Sequence, residues 1–214
     1  LGSYTLSMIW LPIFNPSTIP LTAPPGFNIE EDKRSQGKWT DQSFALKLDQ
    51  TGGQVDWSVS YYSGLDVLPV GRSVTPIRAV LQHTRIHMVG ADFATTIGRY
   101  GVRGETAYVH TQDASGTDPF IKNPYVFSVL GGDRDLTEDL NVNLQMYQRT
   151  IINFEDPFAQ SDPARRNVAV LNSVFTQQQD RIQWGATGRI KATWWNKTLE
   201  GELLGVWNAN RNDF

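Results

Sequence analysis

Between residues 181 and 208, apolar and polar side chains alternate with a period of two. Ile182, Trp184, Ala186, Gly188, Ile190, Ala192 and Trp194 fall on one phase, and Gln183, Gly185, Thr187, Arg189, Lys191 and Thr193 on the other. That period belongs to a β-strand, whose successive side chains point to opposite faces. Asn196-Lys197 suits a two-residue hairpin turn, because Asn tolerates the positive φ that such turns require. Leu199, Gly201, Leu203, Gly205 and Trp207 continue the apolar phase beyond it. With the turn there, Trp194 pairs with Leu199, Ile190 with Leu203 and Ala186 with Trp207, and Lys191 falls opposite Glu202. Each arm exceeds the ~5–6 residues of an ordinary strand. It matches the ~9–11 residues of a tilted strand that crosses a bilayer.

The same alternation recurs along the chain. Tyr4, Leu6, Met8 and Trp10 mark a first strand. Phe44, Leu46 and Leu48 alternate with Ala45, Lys47 and Asp49, and a tight turn at Gln50 to Gly53 leads to Val55, Trp57, Val59 and Tyr61 against Asp56, Ser58, Ser60 and Tyr62. Between His83 and Thr96 the phase breaks, and a bulge near Gly90 is expected to restore it and point Asp92 inward. Val102, Gly104, Thr106 and Tyr108 then oppose Arg103, Glu105 and Ala107. Tyr125, Phe127 and Val129 precede an acidic turn around Gly132 to Glu138. Leu140, Val142, Leu144 and Met146 alternate with Asn141, Asn143, Gln145, Tyr147 and Arg149.

This reading gives nine strands, joined by alternately long and short connections. The long ones are Pro12 to Thr40, Gly64 to Gln82, Thr111 to Pro124 and Thr150 to Asp180. Outer-membrane barrels alternate in this way, with long extracellular loops and short periplasmic turns. The expected architecture is all-β, an antiparallel up-and-down transmembrane β-barrel segment that fills residues 1–214 as one unit. Single-chain bacterial barrels have even strand numbers, so nine strands imply a segment of a larger barrel, incomplete at both ends. Within the last long connection Val168, Leu171 and Phe175 recur at three and four residues, which predicts a short helix over Ala164 to Gln177, started by Asp162 before Pro163. Such a helix should pack on the barrel mouth or fold into the lumen. It would bring Arg165 and Arg166 to the point where the passage narrows.

Composition narrows the classes. A net charge of -3 with 19% charged residues excludes a nucleic-acid footprint. The chain has no cysteine, which removes disulfides, thiolate catalysis and zinc–sulfur sites. Seven Trp and seven Tyr favour a membrane–water interface. The mean hydropathy of -0.36 fits a barrel, whose polar lumen offsets its lipid-facing wall. Leu1 to Ile29 carries Pro12, Pro16, Pro20, Pro24 and Pro25, so it is no spanning helix. Without a basic start or a small-residue cleavage site, it does not read as a signal peptide either.

Three stretches, MIWLPIFNPSTIP, DPARRNVAVLNSVFTQQQDRIQWG and WWNKTLEGELLGVWNANRND, resemble large Gram-negative outer-membrane barrels. The nearest families are porin-like barrels of uncharacterised substrate, similar in style to alginate-export porins. The resemblance implies a place in the bacterial outer membrane and a passage function, and it carries no catalytic motif.

Candidate chemistry follows from the phases. Lys47, Asp49, Asp56, Arg103, Glu105, Arg149, Arg189, Lys191, Glu200 and Glu202 share the polar phase of their strands and are expected to line a pore that filters solutes by sign and size. A solvated face braced by ion pairs is the plainer reading, above all for Lys191 with Glu202. The aromatics Trp10, Trp57, Tyr61, Tyr108, Trp184, Trp194, Trp195 and Trp207 are expected to form interfacial girdles. His83, His87 and His110 stand in no GxSxG or HExxH spacing and read as ordinary polar residues. Asp113 to Asp118 reads as a turn-rich surface loop. The expected protein is thus a channel without enzyme activity, cofactor or metal. Its expected partners are outer-membrane lipid, lipopolysaccharide and a small polar or anionic solute, with no nucleic acid. Two other classes compete: an outer-membrane lipase or protease, and a soluble secreted glycan-binding β-sandwich.

Overall fold

The computed structural model describes residues 2–17, 25–26, 28–31, 38–75 and 78–210. Its strands are β1 (Ser3–Leu11), β2 (Asn28–Glu31), β3 (Ser43–Thr51), β4 (Val55–Leu65), β5 (Val70–Thr75), β6 (Arg78–Gln82), β7 (Arg85–Ile97), β8 (Tyr100–His110), β9 (Tyr125–Thr137), β10 (Leu140–Ile151), β11 (Ile182–Trp194) and β12 (Leu199–Asn208), with one α-helix, α1 (Pro163–Thr176). The nine strands expected from the sequence form one antiparallel sheet in the order β1-β3-β4-β7-β8-β9-β10-β11-β12. The sheet is open, with β1 and β12 at its edges, and is not closed into a barrel.

The closing hairpin has the register its alternation predicts: Trp194 opposite Leu199, Ile190 opposite Leu203, Ala186 opposite Trp207 and Lys191 opposite Glu202. Asn196 (φ 55°) and Lys197 (φ 65°) both occupy the left-handed region, and the Thr198 N–H donates to the Trp195 carbonyl at 3.2 Å to close the turn.

Two expectations fail locally. There is no bulge near Gly90, because β7 keeps an unbroken register with β4 on one side and β8 on the other. Ile86 and Met88 stay on the polar phase, half-buried at the long-connection end of the strand. The acidic turn is also shorter than expected. β9 runs to Thr137 and carries Asp133 and Asp135 as strand residues.

The long connections contribute a second sheet, β2-β6-β5, whose β2–β6 pair is parallel. It falls in two stretches that the sequence presents as loops. Helix α1 lies where it was expected. Asp162 caps it by accepting from the Ala164 N–H at 2.8 Å, and Pro163 fills the first turn, where its missing N–H costs nothing. Val168 is buried and Leu171 and Phe175 half-buried. Asn172 fastens the helix to β5: its Oδ1 accepts from the Gly71 N–H at 2.8 Å, and its Nδ2 donates to the carbonyls of Gly71 (3.1 Å) and Pro119 (2.6 Å). The buried apolar residues Leu65, Val70, Val109, Ile151 and Val168 all gather at this end. A buried ion pair, Lys122 with Asp66, joins two long connections there.

The strands of the large sheet, here called the wall strands, are staggered. One row of directly paired residues runs Asp56, Ala94, Arg103, Gly131, Gln145, Thr187, Val206. It meets β4 at its second residue and β12 at its eighth, six strand-to-strand steps later, which is about one residue of offset per strand.

Candidate functional site

Paired residues share a face, so the registers assign every wall side chain to one of two surfaces. Lys47, Asp49, Asp56, Arg103, Glu105, Arg149, Arg189, Lys191, Glu200 and Glu202 all fall on a single face. Asp92 points to it as expected, though without the bulge. Sequence phase alone missed two acids on it, Asp133 and Asp135, which extend it along β9. The signal was present: both acids continue the phase of Phe127, Val129 and Gly131.

Much of this charge is paired. Lys47 Nζ lies 2.8 Å from Asp49 Oδ1, and Arg103 pairs with Asp133. Asp92 accepts from the Ser58 hydroxyl, and Asp56 accepts from the Gly52 N–H at 2.8 Å. Lys191 chooses the diagonal Glu200, at 2.8 Å, over the directly opposite Glu202. Lys47, Asp92, Arg103, Glu105 and Gln145 border one concavity of about 440 Å³ at mid-wall. Arg149 is held differently. Its Nη1 donates to the carbonyls of Thr176 (3.3 Å) and Gln177 (3.4 Å) at the C-terminal end of α1, and its guanidinium lies 4.7 Å from the Tyr125 ring centre. A cation suits the negative end of a helix. Helix α1 therefore ends on the polar face. Arg165 and Arg166 sit in its first turn, exposed, at the far end from Arg149.

The other face is apolar. Leu6, Met8, Leu130, Leu144, Met146, Ile190 and Leu203 form its middle, from 46% (Ile190) to 70% (Leu203) exposed. Aromatic rings gather at both ends. Tyr4, Trp57, Tyr100 and Trp194 lie toward the short turns, and Trp195 stands in the turn itself. Trp10, Phe44, Tyr61, Tyr108, Trp184 and Trp207 lie toward the long connections, with Trp184 and Trp207 edge to face at 5.1 Å. Among the described wall residues, the only Lys, Arg, Asp or Glu on this face are Arg85 and Arg134, one at each end. Arg134 lies 4.6 Å from the Tyr100 ring centre, and Arg85 donates to the Ser63 hydroxyl and the Gln42 carbonyl at 3.1 Å each. The hydroxyls on the face also find partners, as Thr106 does with Ser128 at 2.8 Å.

The histidines do not converge. His83 is buried, its Nδ1 2.7 Å from the Asp66 carbonyl, whereas His87 and His110 are cross-strand neighbours on the apolar face beside Tyr61 and Tyr108. Asp113 is buried rather than at the surface. Its carboxylate accepts from Ser115 Oγ and from the N–H groups of Gly116 and Asp118, so it closes its own turn. Among the described residues, no group of three or more His, Asp or Glu is placed to hold a metal, and no helix is long and apolar enough to cross a membrane. No protein-family model, curated protein or solved structure matches this chain.

Proposed function

We propose that this sheet is part of the wall of a bacterial outer-membrane channel, with its charged face lining a water-filled passage and its apolar face against lipid. The observation that carries the reading is the division of the two faces. The apolar one exposes on the order of 1,000 Å² of contiguous side chain, beyond the few hundred Å² usual on a soluble monomer. Its cations are confined to its ends, where long side chains reach the headgroups. Aromatics at both ends fit two interfacial girdles. A glycan-binding sandwich would instead need a second sheet packed on that face. The stagger adds support. One residue (~3.3 Å) of offset per ~4.8 Å strand spacing tilts the strands by about 35°, at the edge of the 35–45° of closed barrels. In hydrocarbon both sheet edges must be paired, so further strands complete the wall. Passage is then diffusion past Lys47, Asp92, Arg103, Glu105 and their neighbours, with selectivity set by charge and width.

The test is fractionation of the full-length chain from a Gram-negative host, followed by planar-bilayer recording. Extraction by detergent only, heat-modifiable gel mobility and stepwise ion conductance are expected. Recovery in buffer without detergent sinks the proposal, and membrane integration without conductance removes its channel half.

A further inference from the structure

At the long-connection end of the polar face lies a cleft of about 400 Å³, between the wall and the segment that follows α1. That volume is in the range of small-molecule sites, about 300–1,000 Å³. Two rings form its floor. Phe127 on β9 and Tyr147 on β10 are diagonal neighbours, with centroids 6.3 Å apart and planes 30° from parallel. The tip of the Tyr147 ring covers its cross-strand partner Gly185, where any Cβ would collide with the phenol ring and hydroxyl. Glycine there keeps the ring along the wall.

The charges in the cleft are already engaged. Arg149 is held by the end of α1 and by the rings of Tyr125 and Phe127, the latter 5.6 Å from its guanidinium, and Asp180 accepts from Asn210 Nδ2 at 3.3 Å. What remains is neutral. The Tyr147 hydroxyl, the Gln177 side-chain amide, Gln183 Oε1 and Asn208 Nδ2 make no hydrogen bond among the described residues, while Gln183 itself is positioned by its Nε2, which donates to the Gln177 carbonyl at 2.6 Å. Gln177, at φ 56°, ends α1 in the left-handed region, and it borders the cleft together with Gln179 and Asp180. The Tyr147 ring, with the edge of Phe127 beside it, suits the C–H face of a pyranose ring. Amides and a phenol at their margin suit neighbouring hydroxyls, which both donate and accept.

We propose that this cleft is a subsite for a neutral, multiply hydroxylated solute, that is, a saccharide. The proposal rests on the channel reading, since it places the solute on the passage side. The test is titration calorimetry of the detergent-solubilised full-length chain with maltotriose, cellotriose and mannotriose, and with an oligogalacturonate as the charged counterpart. At least one neutral trisaccharide should bind with a Kd of about 1 mM or below. Tyr147→Ala should weaken it roughly tenfold, the scale of a lost aromatic stacking contact, whereas Tyr147→Phe keeps the ring and should stay within about threefold. Phe127→Leu, which keeps apolar bulk beside Arg149, serves as a second variant should Tyr147→Ala lose heat-modifiable mobility. It too should weaken binding. Binding of none of the neutral sugars, unchanged binding by both Tyr147→Ala and Phe127→Leu, or tighter binding of the oligogalacturonate overturns the proposal. Conductance of the same preparation without sugar separates the two readings. An open channel that binds no sugar rejects the subsite alone, and sugar binding without conductance rejects the channel alone.

Discussion

Leu144→Arg asks directly which solvent covers the apolar face. Leu144 is 64% exposed, and its neighbours in the row are Gly132 on β9 and Gly188 on β11. An arginine there displaces no packed partner. If water covers the face, this is an ordinary surface substitution, worth no more than about 0.5 kcal/mol. If hydrocarbon covers it near the midplane, the guanidinium costs about 2–4 kcal/mol, a drop of roughly 30- to 700-fold in the folding constant at about 1.4 kcal/mol per decade. The matched control is Thr187→Arg, half-exposed on the polar face between Gln145 and Val206. Its loss should stay below about 1 kcal/mol, because the lumen side tolerates charge. Asn143 would be a poor control. It is only 7% exposed, so a larger side chain is costly there whichever solvent lies beyond. The assay is reversible urea unfolding of the full-length chain in lipid vesicles, followed by tryptophan fluorescence. Equal losses at Leu144 and Thr187, or no loss at Leu144, would refute the assignment of the faces.

Three further substitutions probe the end where the core sits. Asn172→Ala removes three hydrogen bonds and leaves the Gly71 N–H unpaired, at a cost of about 2–4 kcal/mol; hydrogen exchange should show loss of protection across Pro163–Thr176 and unchanged protection in β11 and β12. Lys122→Met strands a buried Asp66 carboxylate and should cost about 3–5 kcal/mol, of which a second change, Asp66→Asn, should restore more than half in thermal unfolding. No recovery would mean that the Lys122 stem, not its charge, matters. On the channel reading, replacing Arg165 and Arg166 by Glu should move the reversal potential of the full-length chain in a planar bilayer toward cations. An unchanged potential at low salt discards a constriction role for the helix start.

How much of this was legible in the chain depended on whether a residue's neighbours were local. Trp194, Asn196 and Leu199 declare their hairpin within a few positions, and the register followed from the turn alone. The polar phase likewise collected Lys47, Arg103 and Lys191, because strand periodicity acts on each strand separately. The β2–β6 pair was hidden for the opposite reason. It joins Asn28–Glu31 to residues of a different long connection, in a parallel pairing that leaves no alternating signature. Ile86 and Met88 misled because apolar side chains on the polar phase mimic a phase error, whereas the strand keeps its register there. The Phe127–Tyr147 floor was visible only as two ordinary aromatics, and Gln179 and Asp180, which border the cleft with it, come from beyond α1.

The fastening of Asn172 to Gly71 has a mechanical consequence. Every pairing in the large sheet joins two of its strands that follow one another along the chain, β2, β5 and β6 of the second sheet aside, so no pairing spans the sheet. Asn172 reaches a residue 101 positions earlier. It ties the connection between β4 and β7 to the one between β10 and β11, across the intervening strands. That tie spans the long-connection end of the sheet. With Arg149 holding the same helix to the polar face, the strands at this end cannot splay apart without first breaking it. The short turns at the opposite end join only neighbouring strands.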